Sequence, residues 1–175
     1  VSIWTKILKD WDKQLSRLDK NILLIVDGAP VHCLEENIEL KYIRIEFLLP
    51  NAITHIQPCD QGIIHSFKCF YKKGFISNRI DAYDSIYNKP NENLPAFTIL
   101  DAIYLVANAW KSVTHETIAN CWKRTGILPI SNNNNELPIQ FQDIEHEQVD
   151  ELNKMIAKLP IDNPLSANEF LHLDD

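Results

Sequence analysis

Five β-branched or leucine residues in a row, Ile22 to Val26, stop abruptly on Asp27. No polar residue alternates within the run, which is the pattern of a strand covered on both faces in a parallel sheet. Asp27-Gly28-Ala29-Pro30 closes it. Glycine permits an unusual backbone turn there, and proline blocks continuation. A second run, Tyr42 to Leu49, alternates Ile43, Ile45 and Phe47 with Arg44 and Glu46. His32 to Leu40, between the two, reads as a short helix or helical turn. Strand, helical crossover and strand make a βαβ unit, which requires parallel pairing and a right-handed connection. The fold class is therefore α/β.

Helices flank this unit. Ile3, Ile7, Leu8, Trp11, Leu15 and Leu18 recur at three- and four-residue steps and predict an amphipathic helix over 3–18. Downstream, Ile63, Phe67, Phe70, Tyr71, Phe75, Ile80 and Tyr83 give one side of a long helix from about Gln61 to Tyr87, with Lys68, Lys72, Lys73 and Arg79 on another. Thr98 to Ser112 is predicted helical, with Ile99, Ala102, Ile103, Val106 and Trp110 buried. Thr114 caps a further helix that Gly126 ends. From Ser131 the composition shifts to SNNNN and then to acids, with one more helix possible from about Ile144 to Leu159. Residues 1–130 thus read as one domain. Residues 131–175 read as a low-complexity linker and a weakly structured acidic tail.

Charge follows the same division. The net charge of −7 belongs to the tail: residues 1–130 hold 15 basic and 14 acidic side chains, residues 131–175 hold 2 and 10. An acidic total therefore does not exclude a nucleic-acid partner for the front part. No apolar run nears the roughly 20 residues that span a bilayer, so no membrane partner is expected. The start, VSIWTKILKDWDK, lacks the features of a signal peptide and lacks Met, which suggests a fragment or a processed piece. Cys33, Cys59, Cys69 and Cys121 form no CxxC pair and read as reduced intracellular thiols. Pairing Cys33 with His32 and Cys59 with His55 matches no zinc spacing.

Two acids carry the chemical interest. Asp27 stands at the carboxyl end of a parallel strand, the edge where ligands gather in open α/β sheets. Asp60 stands at the start of the long helix, two residues after Pro58. Paired carboxylates suit Mg²⁺ or Mn²⁺, and two-metal phosphoryl-transfer sites are built from such groups. Spacing alone leaves a plainer alternative open. Asp27 then is a turn residue, Asp60 a helix cap, His32 and His55 loop or capping histidines, and Lys68, Lys72 and Lys73 a solvated face.

Three segments break the tie. LLIVDGAPVH, IRIEFLLPNAITHIQPCDQGIIHSFKCFYKK and LDAIYLVANAWKSVTHETIANCWKRTGILP occur in that order. Together they resemble the DDE superfamily endonuclease domain of pogo/Tigger-type transposases, which jerky-like and centromere protein B-like proteins share. The resemblance covers roughly residues 3–130, and LPN…QPCDQGII is its most specific part. It implies a ribonuclease H-like fold and metal-dependent cleavage and transfer of DNA strands. By position, Asp27 matches the second acid of the catalytic, metal-binding triad and Asp60 the third. The cofactor implied is Mg²⁺ or Mn²⁺, the partner DNA, with Lys68, Lys72 and Lys73 toward its phosphates. The compartment implied is the nucleus, and no small-molecule substrate is expected.

The sequence departs from the family pattern in three ways. Gly28 stands where the family has Asn, and Leu49-Pro50 replaces Pro-Pro. The first acid, on an opening strand upstream of the first helix, has no counterpart. Asp10 and Asp12 fall on that helix and Asp19 in the turn after it. The expectation is a partial ribonuclease H-like fold, two parallel strands retained and the opening strands missing, with a helical C-terminal extension. Without the opening strand, β-strand Ile22–Val26 exposes an apolar edge. The chain alone is expected to be catalytically inactive. The alternative is a domesticated, non-catalytic nuclear protein that binds DNA or dimerises, and a homodimer is compatible with either.

Overall fold

A computed structural model describes residues 2–35, 38–49, 56–87, 89, 92–128, 140–159 and 161–173, with the backbone alone over 140–145. Pro50-Asn51, His55 and the SNNNN run lie outside the described residues. The chain is mixed helix and strand, mostly helical, with two parallel strands. It divides into two compact units, Val1–Gln57 and Pro58–Asp175.

The first unit begins with α1 (Ile3–Leu18). Ser2 caps it, its Oγ accepting the Thr5 N–H at 3.1 Å. Asp19 ends it in the left-handed region at φ 49. Leu8 and Thr5 are fully buried. The next elements are β1 (Ile22–Val26) and β2 (Ile43–Phe47), paired in parallel from Ile22↔Ile43 to Val26↔Phe47. Asp12 fixes the entry to β2: its Oδ1 accepts the N–H groups of Lys41 at 3.0 Å and Tyr42 at 2.7 Å.

Two expectations need correction here. Among the described residues of the segment from His32 to Leu40 the helical structure is one 3₁₀ turn, Pro30–His32, with a further turn closed by the Ile38 N–H on the Glu35 carbonyl at 3.1 Å. Val31 and Leu34, which a longer helix would have to bury, are exposed. β1 is not covered on both faces either. Val26 is buried, but Leu23 is 53% exposed. With two strands among the described residues, each has one neighbour and one unpaired edge.

The second unit opens with a π-helical turn, Cys59–Ile63, that runs into α2 (Ile64–Ile86). Then come α3 (Ile99–Ser112), α4 (His115–Arg124), α5 (Gln140–Ile156) and α6 (Ala167–Leu171). Thr98 and Asp101 form a capping box on α3, and Thr114 caps α4. Gly126 follows α4 at φ 67, a conformation that favours glycine. Ile63, Val113 and Cys121 make one buried cluster with Phe67, Phe70 and Ile118 against it.

The acidic segment is not weakly structured over its described residues. Leu152 and Ile156 of α5 and Ala167 and Leu171 of α6 bury against Cys69 and Ile76 of α2. Apolar positions spaced along α5 drive this packing, despite the acids between them. The predicted buried side of α3 also turns outward. Ile99, Ile103, Val106 and Trp110 are exposed, while Ala109 is buried and Ala102 and Leu105 are half-buried. Leu105 packs over Gly74 of α2 so closely that a Cβ on Gly74 would stand 2.8 Å from its Cδ2. Small residues on both helices thus select the contact face over the more apolar one.

Candidate functional site

Asp27 follows the last residue of β1, whose carbonyl accepts the Leu48 N–H at 2.8 Å. The chain must turn there because β1 ends and Pro30 cannot continue it. Asp27 makes the turn itself: its Oδ1 accepts the Ala29 N–H at 3.0 Å. The same oxygen lies 2.6 Å from His32 Nδ1. Its other oxygen, Oδ2, has no hydrogen bond among the described residues. The Asp27 side chain is 29% exposed. The turn reading and the ligand reading are therefore compatible, because each uses a different oxygen.

His32 is held from behind. The Trp4 ring, in the first turn of α1, lies 5.0 Å from the His32 ring at 46°. Three residues after His32, the Glu35 carboxylate accepts the Ser2 N–H at 2.9 Å. That hydrogen bond lowers the Glu35 pKa from its ordinary value. The glycine after Asp27 is not needed for its backbone freedom: Gly28 is absent from the positive-φ positions, and nothing lies within 4 Å of a Cβ built there. An asparagine, the family's usual residue, would fit.

Asp60 is in the first turn of the π segment, where the positive end of the helix favours a carboxylate. It is exposed and caps nothing; Pro58 is the N-cap residue. The turn carries one more residue than an α-turn would, and Gly62 absorbs the extra residue at φ 132. The widened turn exposes the Gln61 carbonyl, and α4 meets it with Cys121 Sγ at 3.4 Å and an Arg124 guanidinium N–H at 3.2 Å. Cys59 stands at the surface, but packing around its sulfur, and next the neighbouring Asp60 charge, push its pKa up. A protonated thiol is a poor ligand, so Asp60 is the metal-capable group of this turn.

Each of these carboxylates by itself suits Mg²⁺ or Mn²⁺ by type, as a hard oxygen donor, although Asp27 Oδ1 is already engaged. Asp27 belongs to the first unit and Asp60 to the second. Among the described residues, no group of three or more His, Cys, Asp or Glu side chains could hold a metal. Asp12 is committed to the backbone of 41–42, and Asp19 is the C-cap residue of α1.

The three lysines sit on α2 as placed, and each meets partners within the chain. Lys73 Nζ donates to Glu151 Oε2 of α5 and lies 5.6 Å from the Phe70 ring centroid. Its side chain is only 18% exposed. Lys72 Nζ stands 4.5 Å from the Phe170 ring centroid of α6. Lys68 is half-buried. Sequence reasoning missed the partners, Glu151 and Phe170, and missed His32 as the partner of Asp27. The signal for His32 was its position five residues after Asp27 across a proline turn.

The chain is similar in sequence to several known proteins. Human Tigger transposable element-derived protein 7 is 26% identical over 149 residues, covering 81% of this chain and 26% of its own length. CENP-B homolog protein 2 of Schizosaccharomyces pombe is 27% identical over 71% of the chain and 25% of its own. ARS-binding protein 1 of the same yeast is 21% identical over 98% of the chain and 33% of its own. The chain thus spans a quarter to a third of these relatives. No solved structure matches it. The sequence model described as DDE superfamily endonuclease matches residues 1–122, a stretch that takes in Asp27, Asp60 and the whole of α2. The chain belongs to the DDE superfamily endonucleases.

Proposed function

We propose that this chain is the later part of the catalytic domain of a transposase-derived protein, with a partial ribonuclease H-like fold over residues 1–130 and an appended segment, 131–175. Asp27 and Asp60 serve as the second and third acids of the metal-binding triad, and the first acid comes from elsewhere in a longer protein. Mg²⁺ or Mn²⁺, when bound, would polarise a DNA phosphate and ease loss of a proton from the attacking oxygen. The protein's own part is to hold carboxylate oxygens in place. The observation that carries this reading is Asp27: a strand-end carboxylate with one oxygen spent on the turn and its partner oxygen unspent. Lys68, Lys72 and Lys73 contribute positive charge toward DNA once their partners within the chain release them. Nuclear residence follows from a DNA partner.

Two acids of three do not make a competent site. The purified 175-residue chain with Mg²⁺ or Mn²⁺ should therefore leave end-labelled DNA intact. Strand cleavage by the chain, lost in Asp60→Ala, would overturn that statement.

A second reading has its own support. ARS-binding protein 1 is named for binding, and the cover over Lys72 and Lys73 belongs to this chain. On this reading the protein is a non-catalytic, DNA-binding or dimerising descendant. The reading frame upstream of residue 1 separates the two. An aspartate on an opening strand favours the transposase, and another residue there favours the binding protein.

A further inference from the structure

We propose that His32 is the positioning residue of the Asp27 carboxylate, and that it restricts Asp27 to binding a divalent cation through one oxygen. This rests on the reading of Asp27 as a metal ligand.

A carboxylate accepts hydrogen bonds and does not donate when ionised. His32 Nδ1, 2.6 Å from Asp27 Oδ1, must therefore carry the proton. The Ala29 N–H reaches the same oxygen at 3.0 Å. Two donors on Oδ1 stop rotation about the last side-chain bond of aspartate, which is otherwise broad and two-fold. Oδ2 is left without a hydrogen bond among the described residues. The carboxylate then presents one oxygen, the arrangement that a small octahedral cation accepts. A freely rotating carboxylate could chelate with both oxygens, which Ca²⁺ tolerates better than Mg²⁺ or Mn²⁺.

The His32 ring is itself fixed. Trp4 packs at 5.0 Å on one side, and the Glu35–Ser2 hydrogen bond ties the following segment back to the start of α1. The His32 side chain is 27% exposed, so it is partly sheltered from competing water. Trp4, His32 and Asp27 thus form one line of contacts, from α1 to the strand-end oxygen. Hydrogen-bond partners of this kind typically change metal affinity by about 10–100-fold.

Two substitutions divide the roles of the ring. His32→Phe keeps a ring against Trp4 and removes the donor. His32→Asn removes the ring and keeps a donor close to the Nδ1 position. The isotope-labelled 175-residue chain is titrated with Mn²⁺ alone and then Ca²⁺ alone. Paramagnetic broadening of the amides of residues 27–29 reports Mn²⁺, and their shifts report Ca²⁺. Asp27→Asn is the control.

Wild type should bind Mn²⁺ at these amides, His32→Phe should need about 10-fold more, and His32→Asn should stay within about 3-fold of wild type. His32→Phe should lose less Ca²⁺ affinity than Mn²⁺ affinity. The imidazole nitrogen resonances of metal-free wild type should show the proton on Nδ1, and Asp27→Asn should abolish that preference. His32→Phe binding Mn²⁺ like wild type would overturn the proposal. So would His32→Asn falling as far as His32→Phe, which would make the ring or Nε2 the active part. If His32→Phe fails to fold, the Nδ1 proton and the His32→Asn titration decide. Broadening that is absent in wild type, or unchanged in Asp27→Asn, would remove Asp27 as a ligand, and the proposal with it. The Nδ1 signature would still report the Asp27–His32 hydrogen bond, so that failure is distinguishable.

Discussion

Asp27 spends one oxygen on its own turn, and the glycines near the two acids differ in how much freedom they need. Gly28 lies beside it with nothing within 4 Å of a Cβ and no positive φ. Gly28→Asn should therefore change unfolding free energy by no more than about 0.5 kcal/mol. Gly62, next to Asp60 in space along the π turn, is buried at φ 132. There a Cβ forces strained backbone, and Gly62→Ala should cost about 1–3 kcal/mol. Urea unfolding of the two variants beside wild type checks both. Equal losses would show that the π turn does not depend on its glycine. Sequence suggested the reverse emphasis, because Gly28 precedes Ala-Pro in an evident turn. The requirement at Gly62 arises from an extra residue in a helical turn, which residue pattern does not display. Asp27 and Asp60 themselves were legible, since a strand end and a helix start are local features. His32 was not, because its role depends on where Pro30 sends the chain.

At the scale of elements, apolar periodicity located α1, β1, β2, α2, α3 and α4 to within a few residues. It failed on which side of α3 is buried. Ala102, Leu105 and Ala109 allow close approach at Gly74, while the larger residues of the helix stay outside. Close packing outweighed side-chain hydrophobicity there. Composition also misled over 131–175, because acids mask the apolar stripe of α5. Leu152 is fully buried in that stripe. Leu152→Ala should destabilise the second unit by about 2–5 kcal/mol, read by thermal or urea unfolding. A loss under about 0.5 kcal/mol would mean that α5 is a loose appendage after all.

The acids of these helices set a pH dependence. Glu151 is held below its ordinary value of 4.5, first by the hydrogen bond from Lys73 and then by the lysine charge. Hydrogen bonds from Thr98 lower Asp101, and those from Ser166 lower Glu169. A depressed folded pKa means that the unfolded chain takes up protons first. Stability is therefore full above about pH 4.5 and falls as pH drops through the folded values. The Glu151 side chain is 52% exposed, so solvent screening limits its share to about 0.2–1 kcal/mol. Thermal unfolding from pH 6 to 3.5 should show the fall, and Glu151→Gln should make it shallower. A transition temperature constant over that range would contradict the assignment.

For the molecule as a whole, charge and family lead in the same direction. The acidity sits in residues 131–175, and its described helices pack on the helix that carries the lysines. A chain read only by its net charge would be judged a poor partner for DNA. Read by position, it is a near-neutral domain with an acidic cover. The family assignment was legible because QPCDQGII and LLIVDGAPVH keep their order and spacing. The central claim is that Asp27 and Asp60 are the second and third acids of a DNA-cleaving triad. Its most direct test is strand cleavage by the longer protein that supplies the first acid, on DNA carrying its own terminal sequences, with Mg²⁺ or Mn²⁺. Asp27→Asn and Asp60→Asn should each abolish cleavage while leaving DNA binding unchanged. Cleavage at the wild-type rate in either variant, or DNA binding without cleavage by the wild-type protein, would contradict it.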